Sequence, residues 1–346
     1  MADTTLPIGA LLLGSLPLSS NEEVLSTMCQ SLTGRLKYIP DGETGERYNW
    51  IRWEAKCFPS EALEPFLGGV PLPDDHAGFS QEDVKPSQLD RVAIELYAKF
   101  KDFRSKGIIP VDVRFQVCLP TPLSCIQGHC RADVQAQIEP FYEKRVYDAM
   151  QSIVNTIPAE DLAIQLDICF EVIALEYDQV RMKDVFFKPN WSPVRQGIID
   201  RIQRMAAIVP NDVPLGIHLC YGDLDHKRFI DPEDLKLSVD FANDLAKALQ
   251  PHQIDWLHVH VPKDRDDVKY FEPLRELNLG QNRDLYLGVI HFDDEEGDLR
   301  RIKAAQAVVP NFGIGTECSI GRTPAEQLES LLQATRKVSR SLSASV

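Results

Sequence analysis

Nowhere does this 346-residue chain hold the roughly 18 uninterrupted apolar residues that a membrane-spanning helix needs. Its apolar opening, residues 6–18, contains Pro7 and Pro17 and has no basic leader before it, so it reads as a first strand rather than a secretion signal. Basic residues are in deficit, with 37 Lys and Arg against 52 Asp and Glu and a formal charge of −15. That balance repels phosphate backbones and argues against nucleic acid as a partner; most of the surplus serves solubility. The eight cysteines, at 29, 57, 118, 125, 130, 169, 220 and 318, show no tight disulfide spacing, so reduced thiols and a cytoplasmic setting are expected. Internal repeats and low-complexity tracts are missing too. What is left, with 44% hydrophobic residues, is an ordinary globular chain with a large core.

Against these absences, two short sites about a hundred residues apart stand out: His218-Leu219-Cys220 and Gly315-Thr316-Glu317-Cys318. Each follows an apolar, β-branched run that reads as a strand. Side chains alternate along a strand, so an H-x-C at its end sends the imidazole and the thiol to the same face. A second Cys from another strand end meets them only if the strands are neighbours or the sheet is closed. One imidazole and two thiolates form a set that zinc favours when one position is left for substrate.

Strand-like runs recur at 8–14, 36–39, 111–117, 163–168, 213–219, 256–261, 285–290 and 311–315. Amphipathic segments separate them at 88–106, 133–156, 193–208, 232–249, 266–277, 299–308 and 324–340. Alternation of this kind implies parallel strands joined by helical crossovers, and eight strands close a (β/α)8 TIM barrel. The expected architecture is one such domain over residues 1–346. A proline-rich insertion at about 54–86, after strand 2, breaks the rhythm as either a substrate lid or a surface excursion.

Functional residues of a barrel of this type sit where strands end. Those ends carry Ser15, then Asp41, Glu43, Arg47 and Asn49, then Cys118, then Asp167, Cys169 and Glu171. Further along they carry His218 and Cys220, His258 and His260, His291, and Glu317 with Cys318. Charges buried there are costly unless they are paired or bound to metal, so packing alone does not account for the set.

In order, these segments resemble the catalytic barrel of cobalamin-independent methionine synthase, within the superfamily that includes uroporphyrinogen decarboxylase. Gly14-Ser15-Leu16-Pro17 is similar to that family's G-S-F-P turn, and Asp41-Gly42-Glu43 with Arg47 and Asn49 resembles its H-G-E-x-x-R-N-D. Leu119-Pro120-Thr121-Pro122 sits where the family has a G-P-x-T turn, and Ile164-Gln165-Leu166-Asp167 resembles I-Q-I-D-E-P. His218-Leu219-Cys220-Tyr221 is close to H-M-C-Y, and Gly288-Val289-Ile290-His291 resembles G-V-x-D-I-H. Finally, the Glu317-Cys318-Ser319-Ile320-Gly321-Arg322 segment resembles D-C-G-L-K-T-R.

The resemblance implies Zn2+ held by His218, Cys220 and Cys318. It also implies an amino-acid thiol with its amino group on Glu43 and Asp167 and its carboxylate near Ser15. His291 would serve as the proton carrier, and Arg47 would line the substrate site. The implied activity is transfer of a methyl or alkyl group to a thiol. Two departures bear on it. The family's ligating glutamate, in I-E-T-S-R-S-D, is replaced here by His258-Val259-His260, leaving His260 as the expected fourth ligand. The family's N-terminal folate-supporting barrel has no counterpart, which leaves a corrinoid or another small alkyl donor compatible. The alternative is a diverged lyase, decarboxylase or hydrolase, with or without metal, using Asp41, Arg47, Asp167 and His291 on a specialised metabolite. Plainer roles are expected elsewhere: His258 as a structural histidine, Cys118, Cys125 and Cys130 as core or loop thiols near His129, Trp50 and Trp53 as anchors of the insertion or else a substrate wall, and His226 in solvent.

Overall fold

In the computed structural model, which describes residues 6–222 and 227–345, seven parallel strands form one curled sheet in chain order. They are β1 Tyr38–Pro40, β2 Arg114–Pro120, β3 Leu162–Ile168, β4 Leu215–Leu219, β5 Trp256–His260, β6 Asp284–Ile290 and β7 Gly313–Thr316. Helices Gln135–Thr156, Val194–Ala206, Lys236–Ala248 and Glu295–Gln306 cross between successive strands and bury one face each on the sheet. The predicted helix after β5 shrinks to Val268–Phe271 followed by a 3-10 turn, Glu272–Glu276. Pro273 there has no N–H to continue an α-helical ladder. No described helix is long and apolar enough to cross a membrane. His226 lies outside the described residues.

The expected first strand at 8–14 is not formed as such. Ala10 alone bridges in parallel to both Leu36 and Ile314, with Ala10 N–H donating to Arg35 O (2.9 Å) and Leu11 N–H to Ile314 O (2.9 Å). The segment therefore touches both edges of the seven-stranded sheet without becoming an eighth strand. Gly14, at φ +121°, ends its extended run, and a side chain at that position would press on the Glu43 carboxylate. The predicted strand at 111–117 starts later, at Arg114, because 110–113 form a turn with Val111 in solvent.

Period-two alternation sends Ala163, Gln165 and Asp167 of β3, Gly216 and His218 of β4, and Trp256, His258 and His260 of β5 to the inside of the curl. Leu11, Leu13, Tyr38, Ala163, Trp256 and Tyr286 fill the lower interior as an apolar plug, with Tyr38 stacked on Trp256 at 4.2 Å. Gly216 makes room for the Trp256 ring. Polar groups lie above this plug, toward the C-terminal ends of the strands. The register places Asp167, His218, His258 and Tyr286 in one lateral row across β3 to β6.

The insertion packs inward. It runs through short 3-10 turns, buries Phe58, Ala62, Leu63, Phe79 and Val84 in the main core, and bridges antiparallel from Leu63 to Cys130.

Candidate metal centre

His218 at the end of β4, Cys220 just beyond it and Cys318 just beyond β7 bring their ligand atoms within 4.8 Å of one another. The two sulfurs are 3.4 Å apart, and Cys318 Sγ is 3.5 Å from His218 Nε2. A tetrahedral zinc with Zn–S of about 2.3 Å and Zn–N of about 2.05 Å would hold two sulfurs roughly 3.8 Å apart and a sulfur and nitrogen roughly 3.6 Å apart. The two spacings made by Cys318 therefore lie within a few tenths of an ångström of tetrahedral zinc values, while Cys220 and His218, within 4.8 Å of each other, close around an ion by a further inward shift. Among the described residues, no other group of three or more His, Cys, Asp and Glu converges in this way.

The imidazole is oriented from behind. His258 Nε2 lies 3.1 Å from Thr316 O, and His258 Nδ1 lies 2.9 Å from His218 Nδ1. Burial, with His218 and His260 alongside, holds His258 well below the usual histidine range, so its ring is neutral. A carbonyl can only accept, so His258 Nε2 carries the proton and His258 Nδ1 is an acceptor. His218 must then donate from Nδ1, which leaves the Nε2 lone pair facing the sulfurs. Glycines at 288 and 315 give the His258 ring its slot, since a Cβ at either would stand 3.2–3.3 Å from its Nε2.

His260, the expected fourth ligand, is turned elsewhere. Its Nε2 lies 2.8 Å from Glu317 Oε1, close enough for an ion pair but off the angle of a hydrogen bond, and it stands outside the three-donor group. Glu317 also accepts from Arg228 (2.6 Å), and its second oxygen is 3.8 Å from His291 Nδ1. Burial alone would raise Glu317, but contact with His260, His291 nearby and the Arg228 guanidinium bring it down to about 2. His291 donates from Nε2 to Val261 O (3.0 Å), and burial lowers it to about 4, so it is neutral at pH 7. Its backbone N–H is held by Asp298 (3.1 Å), itself paired with the buried Arg301.

The carboxylates form a second buried group. Asp41 pairs with Arg47 (2.8 Å) and accepts from Glu43 N–H (2.6 Å), which occupies Arg47. Glu43 sits at φ 45°, and burial with Asp41 and Asp167 beside it pushes its carboxyl well above the usual range. Asp167 accepts from the Gln165 side chain (2.8 Å), and burial raises it to about 7. Glu171 accepts from Ser124 (3.1 Å). Ser15 donates to Ser319 (3.0 Å).

A cavity of about 260 Å³ opens over the three donors. Asp167, His218, Cys220 and Cys318 line its floor, while Trp50, Phe66, Phe170, Phe186 and Phe229 line its walls, with Asn49, Arg52, His129 and Arg322 among them. Glu43, Arg47, His260 and His291 do not line it. Trp50 thus faces the cavity, whereas Trp53 lies 6.0 Å from the Arg47 guanidinium. Of the aromatic wall only Trp50 was open to the sequence; Phe66, Phe170, Phe186, Phe229 and Arg228 escaped it, because they come from loops, short turns or a helix start with no strand-end pattern to mark them.

Fold and site together define an α/β chain of curled parallel sheet carrying a His-Cys-Cys group at the C-terminal ends of its strands. Comparison with solved structures finds a B12-independent methionine synthase from Shewanella sp. W3-18-1, in complex with selenomethionine, at TM-score 0.54 and 13% identity, covering 96% of this chain and 97% of that one. It also finds a protein assigned as a vitamin-B12-independent methionine synthase from Listeria monocytogenes, at TM-score 0.53 and 14% identity, covering 96% and 98%. Likeness at such low identity shows a shared fold. No family profile and no curated protein sequence matches the chain.

Proposed function

We propose that the protein is a zinc-dependent transferase that moves a methyl or other alkyl group onto a thiol acceptor. The observation that carries this reading is the convergence of His218, Cys220 and Cys318 within 4.8 Å of one another, the two Cys318 spacings close to those of tetrahedral zinc, with His218 fixed in the tautomer a ligand needs. Three protein donors leave a fourth position for the acceptor's sulfur. The same reading takes residues 8–11 as the closing stave of a (β/α)8 barrel, and the fold it shares with B12-independent methionine synthases supports it.

A bound zinc ion lowers a thiol's pKa, so that thiolate exists at neutral pH. Within that frame Asp167, on the cavity floor, accepts the proton as the acceptor's S–H bond breaks. The sulfur lone pair forms the new S–C bond, and the donor leaves with the electron pair of the bond it loses. Asp167 then returns its proton to the departing donor. Burial and the Gln165 side chain set the charge of Asp167, with Glu43 close by, while His291 and His260 act through Glu317, next in sequence to Cys318. The lyase alternative needs Arg47 and His291 at the substrate, yet Arg47 is held by Asp41 and His291 lies outside the cavity lining.

Metal analysis tests the assignment. Purified protein should carry about one zinc per chain, and Cys220→Ser and Cys318→Ser should lose most of it. Equal zinc in all three would refute the site.

A further inference from the structure

Resting on the thiol-transfer reading, we propose that the cavity above the metal donors is an aromatic subsite, and that the acceptor is an apolar, ring-bearing thiol rather than a short amino-acid thiol. Two observations carry this. The first is what lines the space. Phe170 is the hub of the wall, with ring centroids 5.6 Å from Phe229 and 5.8 Å from Phe187, and Phe187 lies 4.9 Å from Phe229. At the mouth, Phe66 and Phe186 face each other at 6.4 Å and remain 60% and 38% exposed. Aromatic rings prefer offset or tilted partners at 4.5–7 Å, and a substrate ring entering the mouth meets several such faces at once. Rings left in water at the entrance of a cavity gain most from a ligand that covers them.

The second observation is what is absent from the lining among the described residues. A short amino-acid thiol needs an anionic clamp for its ammonium group, and Glu43 and Asp167 are the two carboxylates suited to that task. Only Asp167 reaches the cavity. Glu43 is buried against Gly14, beside Asp41, whose charge is already spent on Arg47. Among the described residues, the other charged side chains lining the space are Arg52 and Arg322, which are cationic and repel an ammonium. One floor carboxylate with guanidinium groups above it suits a neutral or anionic molecule with an apolar body.

Titration followed by tryptophan fluorescence tests this, with Trp50 in the cavity wall as reporter. The probes are benzyl mercaptan, cysteine and benzyl alcohol, each against metal-free and zinc-loaded protein. Benzyl mercaptan should bind at least ten-fold tighter than cysteine. Phe66→Ala and Phe186→Ala, both at partly exposed positions that folding tolerates, should each erase most of that preference. Cysteine binding as tightly as benzyl mercaptan, or a preference indifferent to both substitutions, would overturn the aromatic subsite. The reading beneath it fails separately: benzyl alcohol matching benzyl mercaptan on zinc-loaded protein would remove the thiol from the proposal while the ring preference stood.

Discussion

Asp167 is the side chain whose protonation most directly links stability to chemistry. Its carboxyl titrates near 7 in the folded chain and near 3.9 in an unfolded one. Between those values the unfolded chain is ionised at this position while the folded one still holds the proton, so this residue removes stability as pH rises from about 4 to 7. The full effect is on the order of 4 kcal/mol. Asp167→Asn keeps an acceptor for Gln165 and never ionises. It should therefore unfold at higher denaturant than the parent at pH 8, by about 2–4 kcal/mol, with the gain vanishing near pH 4. A constant difference across that range would show that Asp167 is not held neutral. Single residues were legible where alternation constrained them: an H-x-C at a strand end must put both side chains on one face, and His218 and Cys220 do share it. His260 obeyed the same parity and points inward. No sequence signal shows that Glu317 approaches it to within 2.8 Å. Glu43, likewise, is set by a left-handed backbone turn that a Gly-rich stretch permits but does not specify.

Between elements, the lateral row across β3, β4 and β5 turns three strands into one polar assembly. His218 is aimed by its neighbour on β5, which is in turn anchored to the carbonyl of Thr316 on β7. Replacing His258 with phenylalanine keeps the volume but removes the acceptor from His218 Nδ1. Zinc affinity, read by competition with a chromophoric chelator, should fall about 10- to 100-fold while circular dichroism stays native. An unchanged affinity would mean that the imidazole holds its orientation unaided. The sequence located all seven strands to within about three residues, the largest shift being β2, which begins and ends three residues later because Pro110 and Asp112 turn the chain before the extended run. It missed the nature of the first run because apolar content reports burial. Whether a buried segment also forms a continuous ladder depends on glycine angles that composition does not encode.

At the scale of the molecule, alternating strand and helix signals were enough to give a parallel α/β sheet in chain order, since crossovers dictate that arrangement. How the edges of the curl meet was less legible, because it turns on a handful of bonds at residues 8–11. If those bonds close the sheet, the Ala10 and Leu11 amides should exchange with deuterium as slowly as those of central strands such as β3. Exchange at the rate of open loops would leave the sheet a half-barrel.

Pro7 O accepts from Arg340 N–H, Gly9 N–H donates to Arg340 O, and Gly34 O accepts from Leu342 N–H. Residues 7–9 and 340–342 are thus sewn together beside the beginnings of β1 and β7, at the pole opposite the sulfurs. A tether, fusion partner or solid support joined through either of these stretches would hold the molecule by its base and leave the doorway between Phe66 and Phe186 facing outward, ready for traffic.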